Sequence, residues 1–432
     1  MRQLLNRQII SWACYDWANS AFATVVMAGF FPLFFKQYWS ADSSVTDSTF
    51  QLGMANSAAS IVIVILAPVL GAIADAGRLR KRMLLLFTLL GITMTASLFF
   101  IEQGQWWLAL LSFVVAVVGF SGGVVFYDSL IVAVSDDSHL DLVSAFGFAA
   151  GYLGGGILFA IDVAMTLTPE TFGFADTAEA VRFSFLTVAL WWGLFSIPVF
   201  LYVPEMAATR AHSGVKTGSP ITQGFRQLFN TFHEVKKLRV VFLFLLAYWL
   251  YIDGVDTIVR MAVDYGMSIG FNANDLITAL LITQFVGFPA AIAFGFLGQR
   301  IGAKAGILLA IAVYLMVTVW AYFMNEIWEF YLLAVVIGLV QGGVQSLSRS
   351  FYARIIPADK SAEFFGFYNM MGKFAAVLGP LMMGAIGVLT GSPRLGILSV
   401  SLLFIIGGLL LLLVDEKQGQ MMAHSMADKY SL

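Results

Sequence analysis

The sequence predicts an all-α membrane protein with twelve transmembrane helices in two six-helix lobes. Three observations carry this. First, 59% of the 432 residues are hydrophobic and 12% are charged, with a mean hydropathy of +0.85; soluble domains carry about 25% charged residues. Second, the apolar residues come in repeated blocks of roughly 20, the length that crosses a bilayer as a helix. Third, the two halves of the chain repeat each other, with the lysines and arginines biased to one side.

The blocks at about 9–35, 51–74, 83–101, 106–134, 143–167 and 183–203 make spans 1 to 6. Those at about 240–263, 275–298, 305–324, 328–350, 364–390 and 395–414 make spans 7 to 12. Backbone facing lipid must satisfy its own polar groups, so each block is read as helix. Three long tracts need a turn placed inside them, which leaves counts of ten or eleven open. Arg2 and Arg7 ahead of an apolar run resemble a signal peptide, but the run is too long, contains Asp16 and lacks a small-residue cleavage pattern. Residues 204–239 form the longest polar stretch, with Gly214, Gly218, Ser219 and Pro220 ahead of the basic piece FRQLFNTFHEVKKLR. It reads as a linker with a surface helix, or as a regulatory site for a partner. The chain thus divides into a first lobe (1–203), a linker (204–239), a second lobe (240–414) and a tail (415–432).

Nineteen of the 24 lysines and arginines fall in segments on the N-terminal side of the membrane. The positive-inside rule puts that side, both termini and the linker in the cytoplasm, in an inner or plasma membrane. The lone Cys14 excludes an intrachain disulfide. No phosphate-binding loop, HExxH or Cys/His cluster is present, so the chain is read as no enzyme, without cofactor or metal and without a nucleic-acid partner. Its partners are expected to be a small-molecule substrate, protons and membrane lipid.

The repeat is visible in three places. GGVVFYDSLIVAV, from Gly122, matches GGVQSLSRSFYARII, from Gly342. GAIADAGRLRKR, from Gly71, matches GFLGQRIGAK, from Gly295. Trp12, Asp16 and Asn19 recur as Trp249, Asp253 and Asp256. Six helices per half with both termini on one side make this a parallel repeat, as in two-lobed carriers. GAIADAGRLRKR resembles the major facilitator superfamily motif between helices two and three, with Gly71, Asp75, Arg80 and Lys81 in place and Arg78 where that motif has glycine. YDWANSAF, QGGVQSLSRSFYARIIP and FGFYNMMGKFAAVLGP resemble the "unknown major facilitator" branch, related to fungal vacuolar amino-acid effluxers. The resemblance implies a carrier with a central cavity lined by helices one, four, seven and ten. It also implies that Asp75 helps hold the inner side closed, and it points to amino acids as cargo.

Ionisable groups inside spans are costly and mark cavities or pairs. Asp16 and Asn19 share one helix face, as a proton or substrate group or as a helix-interface anchor. Asp253, Asp256 and Arg260 lie at i, i+3 and i+7, within about 60° of arc, as a self-neutralised pair or as an acid excess that titrates. Lys373 sits inside span 11 and faces either an anionic substrate group or an acid such as Asp16 or Asp128. Asp128 and Arg349 occupy nearly equivalent places in spans 4 and 10, as an inner gate or as simple interface charges. Asp162, near the outer end of span 5, is expected to be wet. GYLGGG and LGPLMMG supply small residues for close helix approach. The expected function is secondary transport of a small polar organic solute by alternating access with proton coupling. The alternatives are an uncoupled facilitator and a non-transporting receptor or scaffold on the same fold.

Overall fold

A computed structural model describes residues 6–41, 45–77, 79–205, 238–374 and 378–431. It is all helical there, and eleven of the described helices are long and apolar enough to cross a membrane. Spans 1 to 6 run Arg7–Trp39, Val45–Gly77, Arg80–Phe100, Trp106–Val134, Leu140–Leu167 and Thr177–Tyr202. Spans 7 to 10 run Arg239–Ser268, Ala273–Ile301, Ala303–Phe323 and Ile327–Ile355, and span 12 runs Pro393–Leu412. Most of the linker, 206–237, lies outside the described residues.

One difference from the expected elements has a local cause. Span 6 begins at Thr177 rather than at 183, because the Asp176 side chain accepts the Glu179 N–H at 2.8 Å and so starts the helix a turn and a half before Arg182. Span 11 is described over Ser361–Phe374 and Leu378–Thr390, on either side of residues 375–377, which lie outside the described residues.

Span 1 is unusual within itself. It is π-helical over Phe22–Phe30 and again over Phe35–Trp39, with i→i+5 bonds such as Phe31 N to Val26 O. Its aromatic residues pack inward; Phe31 stacks on Phe113 with ring centroids 3.9 Å apart. Span 6, by contrast, leaves Leu190, Leu194, Ile197 and Leu201 exposed along one stripe. A stripe of that kind finds its apolar partner in lipid.

Contacts among chain ends and loops define two ends of the molecule. At one end, Arg7 stacks over Tyr202 at 3.5 Å, Glu205 accepts from the Arg80 and Lys81 backbone, and Lys304 Nζ donates to the carbonyls of Leu412 and Val414. A tail helix, Glu416–Ser431, lies at this end against spans 7 and 10. At the other end, Gly104 N donates to Tyr38 O, and Arg394 donates to Tyr322 O and Asn325. Between the two halves of the chain, span 2 packs on the first piece of span 11, and span 5 packs on spans 8 and 10.

Candidate functional site

A cavity of about 410 Å³ lies between the halves. Its wall comes from spans 1, 4, 7 and 10, as expected, and also from spans 5, 8 and 11. Asp16, Asn19, Asp128, Asp256 and Arg349 all line it.

Arg349 forms its floor. Nη1 lies 3.3 Å from Asp16 Oδ2 and 3.1 Å from Asp128 Oδ1. Nε donates to Ser144 Oγ at 2.9 Å and Nη2 to Ser144 O at 2.8 Å. The guanidinium also sits 4.3 Å from the Phe148 ring centroid and 4.8 Å from that of Trp12. The carboxylates are held from behind: Tyr127 Oη donates to Asp16 Oδ2 at 2.8 Å, and Asn369 Nδ2 to Asp128 Oδ2 at 3.2 Å. All three charges are buried, at 9%, 4% and 2% exposure for Asp16, Asp128 and Arg349. The close approach needs Gly147, since a Cβ there would lie 2.7 Å from Asp16 Oδ2 and 3.0 Å from Arg349 Nη2. Asp16 and Asp128 come from spans 1 and 4, and Arg349 comes from span 10, so the floor ties one half to the other.

Closer to the end carrying the termini, a second tier repeats the tie. Asp75 bonds Arg80 Nε and accepts the backbone N–H groups of Ala362 and Glu363 at 3.3 and 2.9 Å. Arg80 reaches across to the carbonyl of Asp359 at 3.0 Å. Lys81 does not cross, for its Nζ donates to Val203 O at 2.7 Å within the first half. Arg354 pairs with Asp141 at 2.6 Å, and Ser350 donates to the same carboxylate. Neither Asp141 nor Arg354 stands out in the sequence, although Arg354 lies in the same motif as Arg349. An acid in the first turn of span 5 opposite a base in the last turn of span 10 was the available signal.

The span 7 residues part company. Asp253 is fully buried and turned toward span 11, accepting Leu378 N–H at 3.1 Å and Gly379 N–H at 2.9 Å. Asp256 lines the cavity, with Arg260 at 3.7 Å. The Asp253 carboxylate is thus already satisfied by backbone N–H groups of span 11. The Lys373 side chain lies outside what the structure describes; the acids considered for it, Asp16 and Asp128, both hold Arg349. Asp162 corrects the sequence reading. It is fully buried rather than wet, accepting from Thr187 Oγ1 at 2.9 Å, because span 6 covers it.

A cavity lined by charged and polar residues between two halves of a twelve-block chain, tied by charge pairs on one side, fits a major facilitator carrier, and solved structures agree on the fold. The proton:xylose symporter XylE superposes with a TM-score of 0.70 at 12% identity over 97% of each chain. The human organic anion transporter MFSD10 superposes with a TM-score of 0.67 at 14% identity, covering 95% of this chain and 99% of that one. The family profile described as "Vacuole effluxer Atg22 like" matches residues 44–140 and 133–424. The chain belongs to this family of major facilitator transporters. YxiO of Bacillus subtilis, an MFS-type transporter, is 38% identical over 96% of this chain and 97% of its own. Autophagy-related protein 22-1 of Neosartorya fischeri is 26% identical over 68% of this chain, and the match spans about half, 52%, of the fungal protein.

Proposed function

We propose that the chain is a two-lobed secondary carrier that moves a small polar organic solute by alternating access, driven by protons. The observation that carries this reading is the floor. Arg349 of the second half is held by Asp16 and Asp128 of the first half at the base of a cavity large enough for a small solute. Two carboxylates share one guanidinium, so the site keeps an acid in excess. Adding a proton there weakens the tie between the halves, which links proton binding to opening of the floor. This moves the favoured coupling site from span 7 to the floor. Asp253 is already committed to the backbone of span 11, whereas Asp256 faces the cavity and suits recognition. Gln284, Gln341, Gln345 and Asn369 make the wall polar without adding charge. Amino acids fit such a wall and follow from the family resemblance. Both termini lie in the cytoplasm on this reading.

The test uses purified protein in sealed liposomes with a panel of labelled amino acids and an imposed pH step. Accumulation above equilibrium, lost in Asp128→Asn while solute exchange survives, supports the coupled carrier. Equilibration without accumulation in the unmodified protein identifies an uncoupled facilitator. Saturable binding without uptake identifies a receptor.

A further inference from the structure

The floor closes the cavity on the side of the termini, and a neutral hydrogen bond joins the halves on the other side. Two turns beyond Asp16, about 12 Å along a helix, Thr24 of span 1 accepts a hydrogen bond from Gln284 Nε2 of span 8 at 2.7 Å. Both residues line the cavity. Thr24 lies within the π-helical stretch Phe22–Phe30, and π-helical turns concentrate where a helix must change shape for function. The GYLGGG motif of span 5 lies directly beneath this contact. A Cβ on Gly155 would sit 2.7 Å from Thr24 Oγ1, the atom that receives the Gln284 bond. A Cβ on Gly156 would meet Gln284 Cβ at 3.4 Å, ordinary van der Waals contact. Glycine at 155 therefore leaves room for the threonine hydroxyl in the rotamer that reaches span 8, whereas a methyl at 156 would fit against span 8 without strain.

We propose that Thr24 and Gln284, with Gly155 beneath the threonine, are a latch of the cavity on the face opposite the termini, and that the solute enters or leaves there when this bond parts together with the packing of span 5 on span 8. The proposal rests on the alternating-access reading. It assigns Gly155 of the span 5 motif a gating task rather than static packing. The bond is neutral, so it holds more weakly than the charged bonds of the floor.

The experiment places a reporter, Val124→Cys, in the Cys14→Ser background. Val124 lines the cavity one turn above Asp128, below the latch. Full-length protein in sealed, oriented vesicles is labelled with a membrane-impermeant maleimide from one face at a time. From the face opposite the termini, Gly155→Ala and Gln284→Leu are each expected to raise the labelling rate about fivefold, the equivalent of about 1 kcal/mol. The added methyl at 155 displaces the threonine hydroxyl and also meets the Ser20 carbonyl oxygen at 3.0 Å, so span 5 must shift by a few tenths of an ångström, and the melting temperature of this variant is read beside its labelling. Gly156→Ala is expected to stay within about twofold of the parent, since its methyl meets only ordinary contacts. Equal rates for Gly155→Ala and Gly156→Ala, or no change in Gln284→Leu, overturn the latch. Should Gly155→Ala fold poorly, Thr24→Val and Gln284→Leu decide together. Labelling from the face carrying the termini is read in parallel. If no variant reacts from that face, alternating access fails as a reading while the latch result stands by itself.

Discussion

Arg349 satisfies two carboxylates with one planar fork, and that geometry makes it sensitive to a change that keeps its charge. Lysine at this position presents a single ammonium and cannot hold Asp16, Asp128 and both oxygens of Ser144 together. Arg349→Lys is expected to lower transport at least tenfold, by loss of charged hydrogen bonds worth about 1.5–3 kcal/mol each, and to admit an impermeant thiol reagent to Val124→Cys from the terminal face. Transport within twofold of the parent contradicts a gating floor. Asp253 and Asp256 separate by a different measurement. Asp253→Asn weakens the two charge-assisted bonds from the span 11 backbone and is expected to destabilise the protein by about 1 kcal/mol. Asp256→Asn should leave the melting temperature in detergent nearly unchanged, and matching losses in both variants contradict the distinction. Each ionisable residue of the floor is legible from sequence, because a charge in an apolar block needs a reason. Their meeting is not, because Asp16 and Arg349 are 333 positions apart and no local pattern carries such a contact. Asp162 fails for a similar reason: whether a neighbouring span covers a residue near a helix end is decided by packing.

At the scale of single elements, the apolar blocks and their turn chemistry carry most of the information. Spans 3, 4 and 9 follow their blocks closely, since hydropathy alone bounds them. The π-helical parts of span 1 have no compositional mark at all. The tail helix Glu416–Ser431 offers a prediction of its own. Glu416 lies 3.4 Å from Arg354, and Gly419 packs under Ile355 and Val240. Burial pushes the Glu416 carboxyl above its ordinary value of 4.5, and Arg354 opposes the rise without cancelling it. The docked state therefore binds a proton more tightly than the undocked tail. The sign is opposite to that of a simple salt bridge: docking strengthens as pH falls through the raised value, and the gain is complete below about 4.5. Backbone protection over 416–425, corrected for intrinsic exchange, should rise between pH 7 and 5. In Glu416→Gln that pH dependence should vanish, and a fall in protection on acidification contradicts it.

At the scale of the molecule, the repeat was legible as sequence and has turned out to be a repeat of position more than of task. Asp16 and Asp253 correspond, yet one binds a guanidinium across the cavity and the other receives the N–H groups of span 11. Asp128 and Arg349 stand one position apart in the repeat, and they pair directly at 3.1 Å. A duplicated half can supply an acid and a base to the same depth of the membrane, and opposite signs there turn a repeat into a lock. The lock works only if its side of the membrane is fixed, so orientation is the last prediction. Most of the basic residues lie on the side of the floor, and the positive-inside rule makes that side cytoplasmic. In the Cys14→Ser background, Gly173→Cys follows span 5 and Asn325→Cys follows span 9, both at the end opposite the tail; Lys417→Cys lies in the tail helix. In intact cells an impermeant maleimide should label positions 173 and 325 and leave 417 unlabelled until the membrane is opened. Labelling of 417 alone reverses the orientation, and with it the face on which the charged floor stands. Proton binding at the floor would then release solute outward rather than inward, so this labelling also decides the direction in which a proton gradient drives the carrier.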